Sequence, residues 1–251
     1  MIAPLAPRRW AVALVATAGL ALLPALRSAC AKELACPTPE GFGASEAVLP
    51  KTAKALAGGS GVVIVTLGGS STLGSAAGGA DLAWPARLAA VLTGRFPAAR
   101  VKVVNLAAPR QTARDASSRL AREVLPLRPT LLIWETGTME AVRGTNVDDF
   151  RETVQTGIDE LRAAGIEVAL MSPQFSRDTD AMIHFEPYLS ALRELADAGE
   201  VPMFNRYGLM RAWAEGGVLD LRTKDSDKRR QLATRLYDCL GRAVADFVTR
   251  P

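Results

Sequence analysis

The sequence is poor in the residues that most enzyme chemistry uses. It holds one histidine, His184, and three cysteines, Cys30, Cys36 and Cys239. No Cys/His cluster has the spacing of a metal site, so no metal and no other cofactor is expected. The only phosphate-loop spacing runs from Gly69 to Gly74, and Ser75-Ala76 stands where that loop needs Lys followed by Ser or Thr. A nucleotide site is excluded on that ground, and the glycine spacing also fails the dinucleotide fingerprint. Low-complexity linkers and internal repeats are absent.

Excess charge is scarce as well. The formal net charge is +4, but Arg8, Arg9 and Arg27 lie in a leader without acidic residues, so its removal leaves about +1. The basic balance is therefore no sign of a nucleic-acid partner. Only Arg222 to Arg230 (RTKDSDKRR) is locally basic, and it reads as a solvated loop leading into a helix.

The leader has the layout of an export signal. Arg8 and Arg9 precede an Ala-rich apolar run, Trp10 to Leu26, and Ala29-Cys30-Ala31 supplies small residues for cleavage. Residues 1–31 are expected to be a signal peptide and residues 32–251 a single domain. A retained anchor is the other reading, disfavoured by the shortness of the run and by Arg27 at its end. After cleavage no stable membrane span is expected, and the protein is periplasmic or secreted. Cys30 leaves with the signal, which strands Cys36 and Cys239 at opposite ends of the chain in an oxidising compartment, and a disulfide between them is expected.

What remains is about 220 residues, enough for one sizeable core. Strand-like and helix-like segments alternate along it. Val62 to Leu67, Val101 to Leu106, Leu131 to Trp134, Ile166 to Met171 and Val201 to Phe204 read as five strands. Trp84 to Phe96, a surface helix over Thr112 to Glu123, a helix capped by Asn146, one around Tyr188 to Ala198, Tyr207 to Glu215 and Arg229 to Thr249 read as helices. A long loop, Ser172 to His184, follows the fourth strand. Such alternation implies crossovers and an α/β fold with a parallel sheet covered on both faces. Ligands of such sheets bind outside the carboxyl ends of the strands, where the turn after the first strand presents Ser70, Ser71 and Thr72.

The order of motifs resembles the SGNH, or GDSL-like, hydrolase superfamily across the whole mature chain. Gly68-Gly69-Ser70 occupies the family's Gly-Asp-Ser turn. Asn105-Leu106-Ala107-Ala108-Pro109-Arg110-Gln111-Thr112 echoes the second block, and Gly137-Thr138-Met139-Glu140 echoes Gly-x-Asn-Asp. The resemblance implies a three-layer α/β/α sandwich with a flavodoxin-like, five-stranded parallel sheet that hydrolyses esters through a serine nucleophile. By that resemblance Ser70 is the nucleophile, and the backbone N–H groups of Ser70 and Arg110, with Ser71, Thr138 and Glu140, surround the substrate and its oxyanion.

The chain departs from the pattern at four places. Gly69 replaces the aspartate, Arg110 the glycine and Met139 the asparagine, and Lys228-Arg229-Arg230-Gln231 falls where Asp-x-x-His belongs. A substitute base is then sought in His184, on the loop after the fourth strand, with Asp178 or Asp180 to orient it; Glu135 and Glu140 are carboxylate alternatives. Two functions follow. One is an exported serine esterase acting on acyl or acetyl groups of an envelope glycan or lipid; the other is a non-catalytic relative that binds an envelope carbohydrate or a protein partner.

Overall fold

The computed structural model describes residues 36–39, 42, 47–219 and 222–250, so the expected signal segment lies outside the described residues. β-branched and long apolar side chains drive the first strand, β1 (Gly61–Leu67), into the interior of the sheet. It pairs in parallel with β2 (Arg100–Asn105) on one side and β3 (Leu131–Glu135) on the other. Beyond β3 lie β4 (Glu167–Met171) and the two-residue edge strand β5 (Met203–Phe204), also parallel. The order β2-β1-β3-β4-β5 is the flavodoxin-like arrangement. β5 is shorter than its sequence run because Val201 and Pro202 precede the paired residues.

Two cores line the faces of this sheet. Val62, Ile64, Leu131, Ile133, Ala169 and Met171 point to one side. There they meet α1 (Pro50–Ala57), α3 (Trp84–Arg95), α9 (Arg206–Glu215) and the long α10 (Ser226–Val248). Val65, Leu67, Leu132, Trp134, Val168 and Leu170 point to the other, against α6 (Val147–Ala163) and α8 (Glu186–Gly199). The alternation along each strand is the period-two geometry of a sheet buried on both faces.

The helix expected over Thr112 to Glu123 is broken. Thr112 and Asp115 form a reciprocal capping box for α4 (Ala113–Ser117), after which the chain opens into a wide π turn at Leu120–Val124 and a tight turn at Leu125–Leu127. Ala113, Ala116, Leu120 and Val124 are buried, so the segment packs on the second core instead of lying on the surface. Its short rows of apolar residues are too interrupted for one amphipathic stripe, and Pro126 blocks continuation of the helix.

Capping is partly local and partly remote. Asn146 accepts from the N–H groups of Asp148 and Asp149, as its position in the sequence suggests. α1 has no local cap; Glu167 on β4 accepts from the N–H groups of Lys51 and Thr52 at 2.7 and 2.8 Å. The structure also joins Cys36 to Cys239 as a disulfide, with Cα atoms 5.4 Å apart, and Pro37 accepts from the indole of Trp213. No described helix is long and apolar enough to cross a membrane.

Candidate active site

At the end of β1 the chain turns through Gly68 and Gly69 into the single helical turn α2 (Ser70–Leu73). A Cβ at Gly68 would lie 2.6 Å from Glu135 Oε2 and 2.7 Å from Thr72 Oγ1, so only glycine admits the contacts that shape this turn. The organiser is Glu135, which ends the otherwise apolar strand β3 and is 4% exposed. Its Oε2 accepts from Gly69 N (2.8 Å) and Thr72 Oγ1 (3.1 Å), and its Oε1 from Thr138 Oγ1 (3.0 Å). One carboxylate thus ties the serine turn to the start of α5 (Thr138–Arg143).

Neighbouring groups complete the scaffold. Thr72 Oγ1 also accepts from the buried indole of Trp84, which is therefore a core residue. Asn105, at the end of β2, donates to the carbonyl of Thr72 and accepts from Thr66. Gln111 accepts from Gly68 N through Oε1 at 3.2 Å. Beneath the turn lies Arg206, the first residue of α9 and fully buried. It donates to Ser71 Oγ (3.0 Å) and Gln174 Oε1 (3.3 Å). Burial pushes its guanidinium below the usual range, while the charge of Glu135 acts the other way.

These elements enclose a cavity of about 90 Å³ outside the carboxyl ends of β1 and β3. Ser70, Ser71, Arg110, Gln111, Glu135 and Thr136 line it, with Thr138, Met139 and Gln174. Of the residues expected from the sequence, Ser70, Ser71, Arg110 and Thr138 are brought together here. Ser70 is half-buried and its hydroxyl makes no hydrogen bond to any described residue. Arg110 adopts φ of 56°, the left-handed region that glycine usually fills. Neither Ser70 N–H nor Arg110 N–H donates within the described structure. The hydroxyl of Thr138 is already committed to Glu135.

Two residues are placed elsewhere. Glu140 accepts from Ala113 N and Gly137 N, tying α5 to α4, and lines a different cavity. Burial raises its carboxyl above the usual range, against the pull of those N–H groups. Each of its oxygens thus holds a backbone N–H, which is a structural role. His184 is exposed and lines a separate surface cavity with Asp180, Glu186, Tyr207 and Arg211, so the structure does not bring it to Ser70. Asp180 accepts the hydroxyl of Tyr207, and Asp178 is exposed. The loop carrying them leaves β4 on the correct face, and Gln174 reaches the Ser70 cavity, but the short helix α7 (Arg177–Asp180) carries the chain onward before His184. Lys228 and Gln231 are exposed in the first turns of α10.

Arg206, Gln111 and Thr136 were not evident as site residues from the sequence. A charge closing the apolar run LLIWE does single out Glu135, since a buried carboxylate needs partners. No comparable local signal marks Arg206. Among the described residues no group of His, Cys, Asp and Glu is arranged to hold a metal ion.

A model of the non-GDSL lipase-like family matches residues 35–251. Among curated proteins no sequence matches. Solved structures with the same fold include a lipase/acylhydrolase from Enterococcus faecalis, 21% identical with a TM-score of 0.58, the match covering 74% of this chain and 96% of that one. A two-domain esterase active on acetylated mannans is 17% identical with a TM-score of 0.64, over 81% of this chain and 53% of that one. An acetyl-xylooligosaccharide esterase from Geobacillus is 18% identical with a TM-score of 0.57, over 72% and 94%.

Proposed function

We propose that this chain, which belongs to the non-GDSL lipase-like family, is an exported protein that accepts acyl or acetyl groups from glycan or lipid esters on Ser70. The observation that carries this reading is the unengaged hydroxyl of Ser70 at the head of α2, beside a cavity that Ser70 and Arg110 both line, while neither residue's N–H donates to a described residue. A nucleophile beside two N–H donors is the arrangement that acyl transfer needs. The likeness in fold to esterases of acetylated mannans and xylo-oligosaccharides supports a glycan ester as substrate. The Cys36–Cys239 disulfide supports export.

In the reaction Ser70 Oγ bonds to the carbonyl carbon while the C=O π pair moves onto oxygen, where the two N–H groups receive it. The hydroxyl proton passes to water at the mouth of the cavity, because no imidazole lines it. Collapse expels the alkoxide, which takes up through water the proton that Ser70 lost, and a second water adds to the acyl-serine, which breaks to the acid as a proton of that water returns to Ser70 Oγ. A serine without an adjacent base is a weak nucleophile. Turnover about 10⁴-fold or more below that of an enzyme with a complete triad is expected, rising with pH without an inflection near neutrality.

The test is labelling by a fluorophosphonate and hydrolysis of p-nitrophenyl acetate, comparing the mature protein with Ser70→Ala. Ser70-dependent labelling and slow turnover are expected. His184→Ala separates the routes for the proton: unchanged kinetics support water, whereas loss of activity together with a neutral-pH inflection assigns the proton to His184 and requires movement of its loop.

A second reading is a protein that binds the ester without turning it over. It is favoured by the exposed Lys228 and Gln231 at the position where the resembled family keeps the carboxylate that orients its base and the base itself. Absence of Ser70-dependent labelling, with retained binding of acetylated oligosaccharide, supports that reading over the first.

A further inference from the structure

Arg110 borders the Ser70 cavity in a conformation that works against it. Its φ of 56° lies in the left-handed region, where a Cβ strains the backbone and a glycine does not, and the resembled family keeps glycine at this position. The side chain returns nothing to the fold. It is exposed, and it makes no hydrogen bond or ion pair with a described residue. A residue that strains its own backbone and holds nothing in place points to a use outside the fold, on what enters the cavity beside it.

The charges and donors around that cavity indicate what enters. Glu135 is the single acidic residue of its lining, and the oxygens of that carboxylate already hold Gly69 N, Thr72 Oγ1 and Thr138 Oγ1. The charge of Arg110 is left without a partner. Gln174 adds a second donor: a guanidinium can only donate, so the contact from Arg206 fixes Oε1 on that side and leaves Nε2 unbonded, on a half-buried residue. Unlike the amide nitrogen of Gln111, this one is not shut off from solvent. The lining thus offers donors and one unopposed positive charge, and its complement is an ester that carries a negative charge of its own.

We propose that Arg110 sets the substrate specificity of this site, its guanidinium binding a carboxylate on the ester presented to Ser70, as an acetylated acidic sugar would offer it. The assignment rests on the Ser70 reading above and narrows it from glycan esters in general to those of acidic glycans. The planar fork of a guanidinium matches a carboxylate through two parallel hydrogen bonds, which an ammonium group does not reproduce. Arg206 does not compete for this role, since it is fully buried and its contacts run to Ser71 and Gln174.

The test compares two acetyl esters that differ in charge, p-acetoxybenzoate and its neutral methyl ester. For the wild type, Arg110→Gln and Arg110→Lys, kcat/KM for each ester is divided by that ester's rate with hydroxide, and the ratio of anionic to neutral ester is taken. Because both esters meet the same variant, any disturbance of the backbone N–H at this position cancels from the ratio. The wild-type ratio should exceed that of Arg110→Gln about tenfold, the effect of a charge-assisted contact at an exposed site, with Arg110→Lys between them. Raising NaCl from about 0.05 to about 0.5 M should erode the wild-type ratio and not that of Arg110→Gln. Equal ratios in the wild type and Arg110→Gln overturn the inference and leave the Ser70 reading standing. So does a preference shown only for p-acetoxyphenyl phosphate, which would replace the carboxylate by a phosphate. Hydrolysis that is absent, or unchanged in Ser70→Ala, overturns both readings. Should Arg110→Gln fail to fold, Arg110→Gly takes its place, since glycine accepts the left-handed backbone without strain.

Discussion

Glu135→Gln is the perturbation that most directly probes how the serine turn is held. The carboxylate accepts three hydrogen bonds, from Gly69 N, Thr72 Oγ1 and Thr138 Oγ1. A glutamine is nearly isosteric, and its single carbonyl can keep the Gly69 and Thr72 donors if its amide faces Thr138, whose hydroxyl then rotates to accept. All three bonds lose their ionic character. A bond to a charged acceptor is worth about 1.5–3 kcal/mol and a neutral one about 0.5–1.5, so each loses about 1 kcal/mol and the total is about 3 kcal/mol. The fully buried Arg206 meanwhile loses the negative charge whose field opposes the effect of burial on it. In urea, with a slope of about 2–3 kcal/mol/M, the unfolding midpoint should fall by about 1 M. Arg206→Met removes the other charge, so the double variant should cost less than the two single losses together, with a coupling of at least about 1 kcal/mol. A midpoint within about 0.2 M of wild type, or strict additivity in the cycle, would refute the idea that these two buried charges support one another and the turn.

Three further outcomes follow from the geometry. The bond between Cys36 and Cys239 closes a separation of 203 residues, so reduction should cost about 5 kcal/mol in the chain-entropy account and lower Tm by about 10–20 °C; a shift under about 3 °C once both thiols titrate would remove that role. Gly157→Ala gains about 1 kcal/mol of helix propensity in α6, yet its Cβ would lie 2.5 Å from the buried ring of Trp134, so overpacking of about 1–3 kcal/mol should win and lower the thermal midpoint. For Glu140, whose carboxyl is raised above its unfolded value, the folded state binds the proton more tightly, so stability should decline as pH rises from the unfolded pKa through the folded one. Glu140→Gln should flatten that decline and, because one backbone N–H is left unmet, cost about 1–3 kcal/mol at mildly acidic pH; a pH profile unchanged in the variant would assign the dependence to other groups.

The part of this protein legible in one dimension is the part set by neighbours in the chain. The apolar runs at Val62, Leu131 and Ile166 become strands because β-branched and large apolar side chains suit a sheet buried on both faces, and the run at Val101, which alternates with Arg100 and Lys102, becomes a half-exposed edge strand. Asn146 caps α6 because its side chain reaches N–H groups two and three residues away. Ser70 heads a helical turn after β1 because two glycines release the strand. The interrupted segment after Thr112 was misread as one helix, since the local pattern is helical but its burial depends on the opposing core.

The arrangement within the site was decided only when distant segments met. Arg206 and Ser71 are 135 residues apart, Glu135 and Gly69 are 66 apart, and Glu167 reaches Thr52 across 115. Sequence placed His184 on the same face of the sheet as Ser70, yet face is a coarse coordinate, and the path of the loop after β4 carried the imidazole to another cavity. Glu140 was similarly drawn into backbone hydrogen bonds that no spacing reveals. Periodicity fixes which side of a strand or helix is buried, because that follows from backbone geometry. Which two side chains come within 3 Å depends on crossovers and packing between elements, and those are properties of the folded chain.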